Sequence, residues 1–464
     1  MNQINGGCTG FMDARPTRRD LLRVGGIGLL GLQLPELVAA ADQNKTAKAR
    51  AKSVIFLHQF GGPSHHDTFD MKPTAVDSIR GEYKPIRSKS PDILVCEHLP
   101  RIAQVADKFT LIRTMQHGMK NHNPATYYSL TGHAPPLDDI RLRDSRELFP
   151  AYGSVVSRLS PAKNGMPTFV SYPHLLRDGS VTPGQHATFL GKAHDPFFVG
   201  QDPNSSNFRL PELSLPANLT LERLESRREV QRLIDRQSEL LDYSALAQGI
   251  DSNVEKALTM ISSGRVRKAF DLGEESASIR DKYGRTTYGQ SCLLARRLVE
   301  AGAKFINVYF SNVIGGRSGT GGWDTHGFGN NPMYPILKDY LLPLADQTLP
   351  TLLEDLDSRG LLNETLVVWM GEFGRSPRIN NLAGRDHWPQ CYTALVAGGG
   401  TKRGFVHGAS DKLGAYPTTD SVRPDDLAAT IFFLLGIDPH TEVRDPVNKP
   451  LQIAQGNPVM DIVA

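Results

Sequence analysis

The chain has 464 residues, with 52 Lys and Arg against 49 Asp and Glu and a formal net charge of +3. That balance excludes a nucleic-acid reader whose affinity rests on a large positive field. Apolar residues at 39% and charged residues at 22% are ordinary for a folded globular chain and exclude bulk disorder.

Residues 1–41 read as an address label rather than as part of the fold. Arg18-Arg19 sits in a polar stretch ahead of an apolar, glycine-rich run over 24–34, and Ala39-Ala40-Ala41 offers small residues to a signal peptidase. The run is too short for the ~20 residues that a permanent transmembrane helix needs. The expectation is export by the twin-arginine translocase, a periplasmic or secreted location and no permanent membrane anchor. Cys8 lies in this segment, and Cys96, Cys292 and Cys391 remain without close spacing, so neither a disulfide framework nor a four-cysteine zinc site is indicated.

The rest, 42–464, reads as a single domain. An apolar run at 53–57 is a buried strand emptying into Gly61-Gly62. Residues 63–200 are rich in His, Pro and Gly, with helical pieces near 99–107 and 151–159. From about 219 to 299 the pattern is helical with many charges, which reads as a helical insertion. Apolar runs at 304–310, 365–370 and 392–397 then alternate with helical stretches at 336–362 and 425–435. Such alternation predicts an α/β fold, a mostly parallel central sheet with helices on both faces. In such sheets ligands bind beyond the carboxyl ends of the strands.

The candidate site residues fall in those loops. Seven of the 14 histidines (His58, His65, His66, His98, His117, His122 and His133) come early, beside Asp67 and Asp70. Imidazoles and carboxylates in a loop after a strand suit a divalent cation, so His65, Asp67 and Asp70 are candidate ligands. A second set is late: Asp324 and His326 after the 304–310 strand, Glu372 directly after 365–370, and His387 behind Asp386. Arg375 either clamps a tetrahedral oxyanion or neutralises a neighbouring acid. Asn121–Gly132 reads as a loop leading into a short helix, whose free N–H groups attract anions.

Together these pieces resemble the alkaline phosphatase superfamily, which includes sulfatases and phosphodiesterases. More closely, the chain resembles a large family of twin-arginine-exported bacterial proteins of unknown function, often loosely labelled sulfatase-like. The resemblance runs from Arg18 to about Pro439 and is most specific at 61–70, 323–326, 371–377 and 384–388. It implies an alkaline-phosphatase-like fold and a divalent metal, zinc, manganese or calcium, on Asp324, His326, Glu372 and His387. Two departures accompany it. The superfamily's aspartate at the end of the first strand falls near Gln59, where no acid stands, so His65, Asp67 or Asp70 would substitute. Aligning Pro124 and Thr131-Gly132 with the sulfatase motif puts His122 at the nucleophile and Thr126 at the arginine, leaving no formylglycine precursor. His122 is then the candidate nucleophile, base or ligand, with Thr126 a second hydroxyl source.

The resulting expectation is a secreted metal-dependent hydrolase of small or polymeric phosphate or sulfate esters. The alternative is a catalytically inactive binding or assembly protein in the periplasm.

Overall fold

The computed structural model describes residues 48–163, 165–208, 260, 263–311, 322–327 and 332–464. The expected twin-arginine segment and its cleavage site lie outside the described residues, as do 219–259 of the expected insertion. Among the described residues no helix is long and apolar enough to cross a membrane.

Eight strands make the central sheet: β1 (Ser53–Gln59), β2 (Phe109–Met115), β3 (Phe169–Tyr172), β4 (Phe197–Phe198), β5 (Phe305–Phe310), β6 (Thr365–Met370), β7 (Tyr392–Ala397) and β8 (Phe405–His407). Their spatial order is β8-β2-β7-β6-β1-β5-β3-β4. Only β7 opposes its neighbours β6 and β2; every other adjacent pair is parallel. The fold is therefore α/β with a mostly parallel sheet, as the alternation predicted.

The period of two along β1 divides the core. Ile55 and Leu57 pack with Leu293 and Leu294 of α3 (Thr287–Ala301) and with Leu349, Leu352 and Leu353 of α4 (Leu342–Ser358). Val54 and Phe56 point to the other face. There they join Leu130 of α1 (His122–Thr131), Val155 of α2 (Tyr152–Leu159), and Leu427, Ile431 and Phe432 of α5 (Pro424–Leu434). A strand covered on both faces needs a continuous apolar run, which is what β1 carries. The described end of the expected insertion includes α3, and α3 is one of these covering helices. Thr286 caps it by accepting from Gly289 N at 3.0 Å, and Gly302, at φ 103°, ends it in a conformation open to glycine.

Three parallel strands deliver the functional loops to one edge of the sheet. Beyond β1 come Phe60–Gly62, beyond β6 comes Glu372, and beyond β5 comes the Trp323–His326 segment. Trp323 pins the last of these to the end of β1: its backbone N–H donates to Phe60 O at 3.0 Å and its indole N–H to Gln59 Oε1 at 3.0 Å. Gln59, where an acid was expected from the resemblance, is thus a fully buried tie that also donates to the Tyr288 hydroxyl.

Candidate metal centre

Asp324 is the hub. Its Oδ1 lies 3.0 Å from His326 Nε2 and 3.0 Å from His387 Nε2, and those two nitrogens are 2.9 Å apart. Its Oδ2 lies 3.5 Å from His122 Nε2. Local chain geometry makes this convergence possible. A short antiparallel ribbon pairs Arg375 with His387 and Gly374 with Trp388. The chain just before it passes so close to His326 that a Cβ on Gly384 would stand 2.0 Å from the His326 carbonyl carbon. Only glycine fits there.

The outer ring nitrogens show which atoms face inward. His387 Nδ1 lies 2.7 Å from Lys120 O, and His326 Nδ1 lies 3.2 Å from Asp386 Oδ1, which Asn380 also holds at 3.0 Å. Both outer groups only accept, so each Nδ1 donates and each Nε2 turns a lone pair toward Asp324. Three lone-pair atoms about 3 Å apart repel one another unless a cation or proton lies among them. Nitrogen and oxygen donors with tied outer nitrogens are the pattern that holds a divalent metal, and Asp324, His326 and His387 fit it.

The charges agree with that placement. Burial would raise the Asp324 carboxyl, but the Arg375 guanidinium beside it and the bond from His122 hold it well below the usual carboxylate range. Burial, with the nearby Arg375, lowers His387 to about 4, leaving its ring neutral. His122 goes the other way: burial opposes its charge, yet hydrogen bonds to Asp324 and Glu372 raise it to about 9. Its ring lies between Phe60 and Phe373, with centroids 4.9 and 5.2 Å away.

Two expected site residues make further contacts. Glu372 was expected on the ion; its Oε1 faces His122 Nδ1 at 2.7 Å and accepts from Gly61 N at 2.8 Å, and its buried Oε2 makes no hydrogen bond. Arg375 was a candidate oxyanion clamp. It is fully buried and its donors go to Asp324 and to the carbonyls of Gly61, Gly62 and Arg385. It holds Asp324 and the loop after β1 rather than facing a substrate. Thr126 lies in α1 with its hydroxyl buried and making no hydrogen bond.

Residues 51–463 match the family described as Protein of unknown function (DUF1501). The chain belongs to it. No curated protein matches. Among solved structures, this DUF1501 chain is similar to Ps i-CgsB at 12% identity, over 87% of this chain and 74% of that one, with a TM-score of 0.41. It is similar also to a protein in the alkaline phosphatase superfamily from Vibrio parahaemolyticus (10% identity, 84% and 68% covered, TM-score 0.38). A third is BT1596, a 2-O GAG sulfatase (12% identity, 84% and 71% covered, TM-score 0.37).

The early acidic and histidine residues of the DUF1501 chain do not join the centre. Among the described residues, the ligand atoms of His122, Asp324 and His387 also lie within 4.8 Å of one another, and none of the early residues belongs to that group. His65 Nε2 faces Gly414 O at 2.8 Å and His66 Nε2 faces Leu413 O at 2.7 Å, so both nitrogens donate to carbonyls. Asp70 accepts from Lys72 at 3.0 Å and from Ser410. Asp67, fully buried, pairs with the fully buried Arg385 at 2.8 Å and accepts from Ser64. Arg385 also donates to the carbonyls of Ile79, Ser376 and Pro377, which fixes the segment leading to His387. Arg385→Met is expected to leave Asp67 buried and unpaired, costing about 3–5 kcal/mol in a urea unfolding measurement.

Asp386, Asn380 and the Lys120 carbonyl carry the outer hydrogen bonds; Asp386 was noted beside His387, and the other two were not expected. The available signal was the adjacency of Asp386 to His387. A carbonyl gives none.

Proposed function

We propose that this protein is an exported hydrolase of phosphate or sulfate esters that depends on a divalent metal held by Asp324, His326 and His387. The observation that carries the reading is the pair of Nε2 atoms 2.9 Å apart around Asp324 Oδ1, each with its outer nitrogen tied. When bound, such an ion supplies Lewis-acid stabilisation of a phosphoryl or sulfuryl oxygen. His122 supplies the base or nucleophile, held between two carboxylates with its ring walled by phenylalanines. The amino end of α1, which begins at His122, favours the negative charge of such an ester. The twin arginines supply the export part of the proposal.

The test is a panel of aryl phosphates and aryl sulfates offered to protein loaded with zinc, manganese or calcium. His122→Ala is expected to lower turnover by about 10²–10⁴-fold. Turnover that survives this change would remove His122 from the reaction. A second reading is favoured by one observation: His122, Asp324 and His387 ligand atoms all lie within 4.8 Å of one another. His122 completing four protein ligands would make a closed site of the structural kind. A binding protein of that sort would hold stoichiometric metal and hydrolyse nothing on the panel.

A further inference from the structure

We infer that Glu372 is a positioning residue that sets the ring nitrogen and orientation of His122, and that it contributes no bond to the metal. The inference rests on the reading of His122 as the base. Four contacts carry it. Glu372 is fully buried directly beyond β6, and its peptide carbonyl lies 2.6 Å from His117 Nε2. Its Oε1 is anchored by Gly61 N at 2.8 Å and meets His122 Nδ1 at 2.7 Å. Because Gly61 already donates, the carboxylate acts as the acceptor and His122 Nδ1 as the donor, which leaves Nε2 directed at Asp324 Oδ2, 3.5 Å away.

His122 thereby differs from its neighbours. The outer nitrogen of His387 rests on a peptide carbonyl, and that of His326 on Asp386, which is 57% exposed. His122 alone rests on a fully buried carboxylate. With the Asp324 charge taken up by a bound ion, His122 Nε2 would release to solvent the proton that this carboxylate otherwise holds there. Nε2 then takes the proton from an attacking hydroxyl or water, the O–H bond breaking as an N–H bond forms. The positive ring that results has Glu372 against its far edge. A buried carboxylate fixes the tautomer and stabilises the imidazolium without itself taking the proton.

The experiment compares the wild-type chain, Glu372→Gln, Asp324→Asn and His122→Asn. Zinc content is read by mass spectrometry, and the ring nitrogens by long-range proton–nitrogen NMR on histidine-labelled protein. Glu372→Gln is expected to keep the wild-type zinc content, to move the His122 ring signals and to lose about 10²–10⁴-fold in turnover. Loss of zinc to the level of Asp324→Asn would make Glu372 a ligand and overturn the inference. Unmoved His122 signals in Glu372→Gln would overturn it as well. Should Glu372→Gln not fold, the wild type decides alone: a downfield Nδ1–H signal, assigned by its loss in His122→Asn, is expected, and its absence refutes the assignment. A wild type with this signal but no turnover would refute the hydrolase reading and leave the Glu372 assignment standing.

Discussion

Asp324→Asn is expected to abolish tight zinc binding while leaving the protein folded. Asp324 is the one carboxylate that faces His122, His326 and His387 together, so its charge is what makes three inward nitrogens a cation site rather than a cluster of repelling dipoles. The amide keeps the side-chain volume and an acceptor for Arg375. Alanine does not, and it strands a fully buried guanidinium from its carboxylate. Asp324→Ala is therefore expected to cost about 1–3 kcal/mol more in unfolding than Asp324→Asn, for the hydrogen-bond acceptor that only the amide keeps. A thermal-shift titration separates the two effects. Zinc at a hundred times its Kd stabilises a folded binder by about 2.7 kcal/mol. The wild type is expected to gain that increment and Asp324→Asn to gain none. An equal gain in both would place the ion elsewhere.

The same residues show what a sequence can and cannot disclose. β1, β5, β6 and β7 were readable because central strands buried on both faces carry near-continuous apolar runs. β2 was not: Thr110, Arg113 and Thr114 interrupt its run. Inside the fold the two threonine hydroxyls are spent on Lys402 O at 2.8 Å and Asp420 O at 2.7 Å. The antiparallel direction of β7 leaves no mark on its composition. Asp324, His326 and His387 were legible as acids and imidazoles in loops after strands. The partner of Glu372 was not, because it depends on the start of α1 being carried to the end of β6, 250 residues away in the chain. For the same reason His65, Asp67 and Asp70 read as ligands. Only the fold shows that Arg385, 318 residues from Asp67, neutralises that carboxylate and that backbone carbonyls occupy the histidines.

Those buried histidines lead to the second large effect, a steep loss of stability in mild acid. Burial lowers His58, His117 and His133 to about 4, and it also lowers His65 and His66. Their folded values lie below the unfolded value of about 6.5, so below that pH the unfolded chain binds protons that the folded chain refuses. Stability therefore rises with pH between about 4 and 6.5 and is level, as far as these groups are concerned, above 6.5. Each such histidine adds a slope of about 1 kcal/mol per pH unit, and three together give roughly 3–4 kcal/mol per unit. Urea unfolding at pH 7.5, 6 and 5 measures it directly. His133 is the group to remove first, since it stacks on Phe149 with ring centroids 3.4 Å apart and its Nε2 lies 3.2 Å from Ile453 O, away from the metal centre. His133→Gln is expected to flatten the slope by about one histidine's share. An unchanged slope would mean that His133 already carries its proton in the folded protein, and the acid sensitivity would then have to come from His58, His65, His66 and His117.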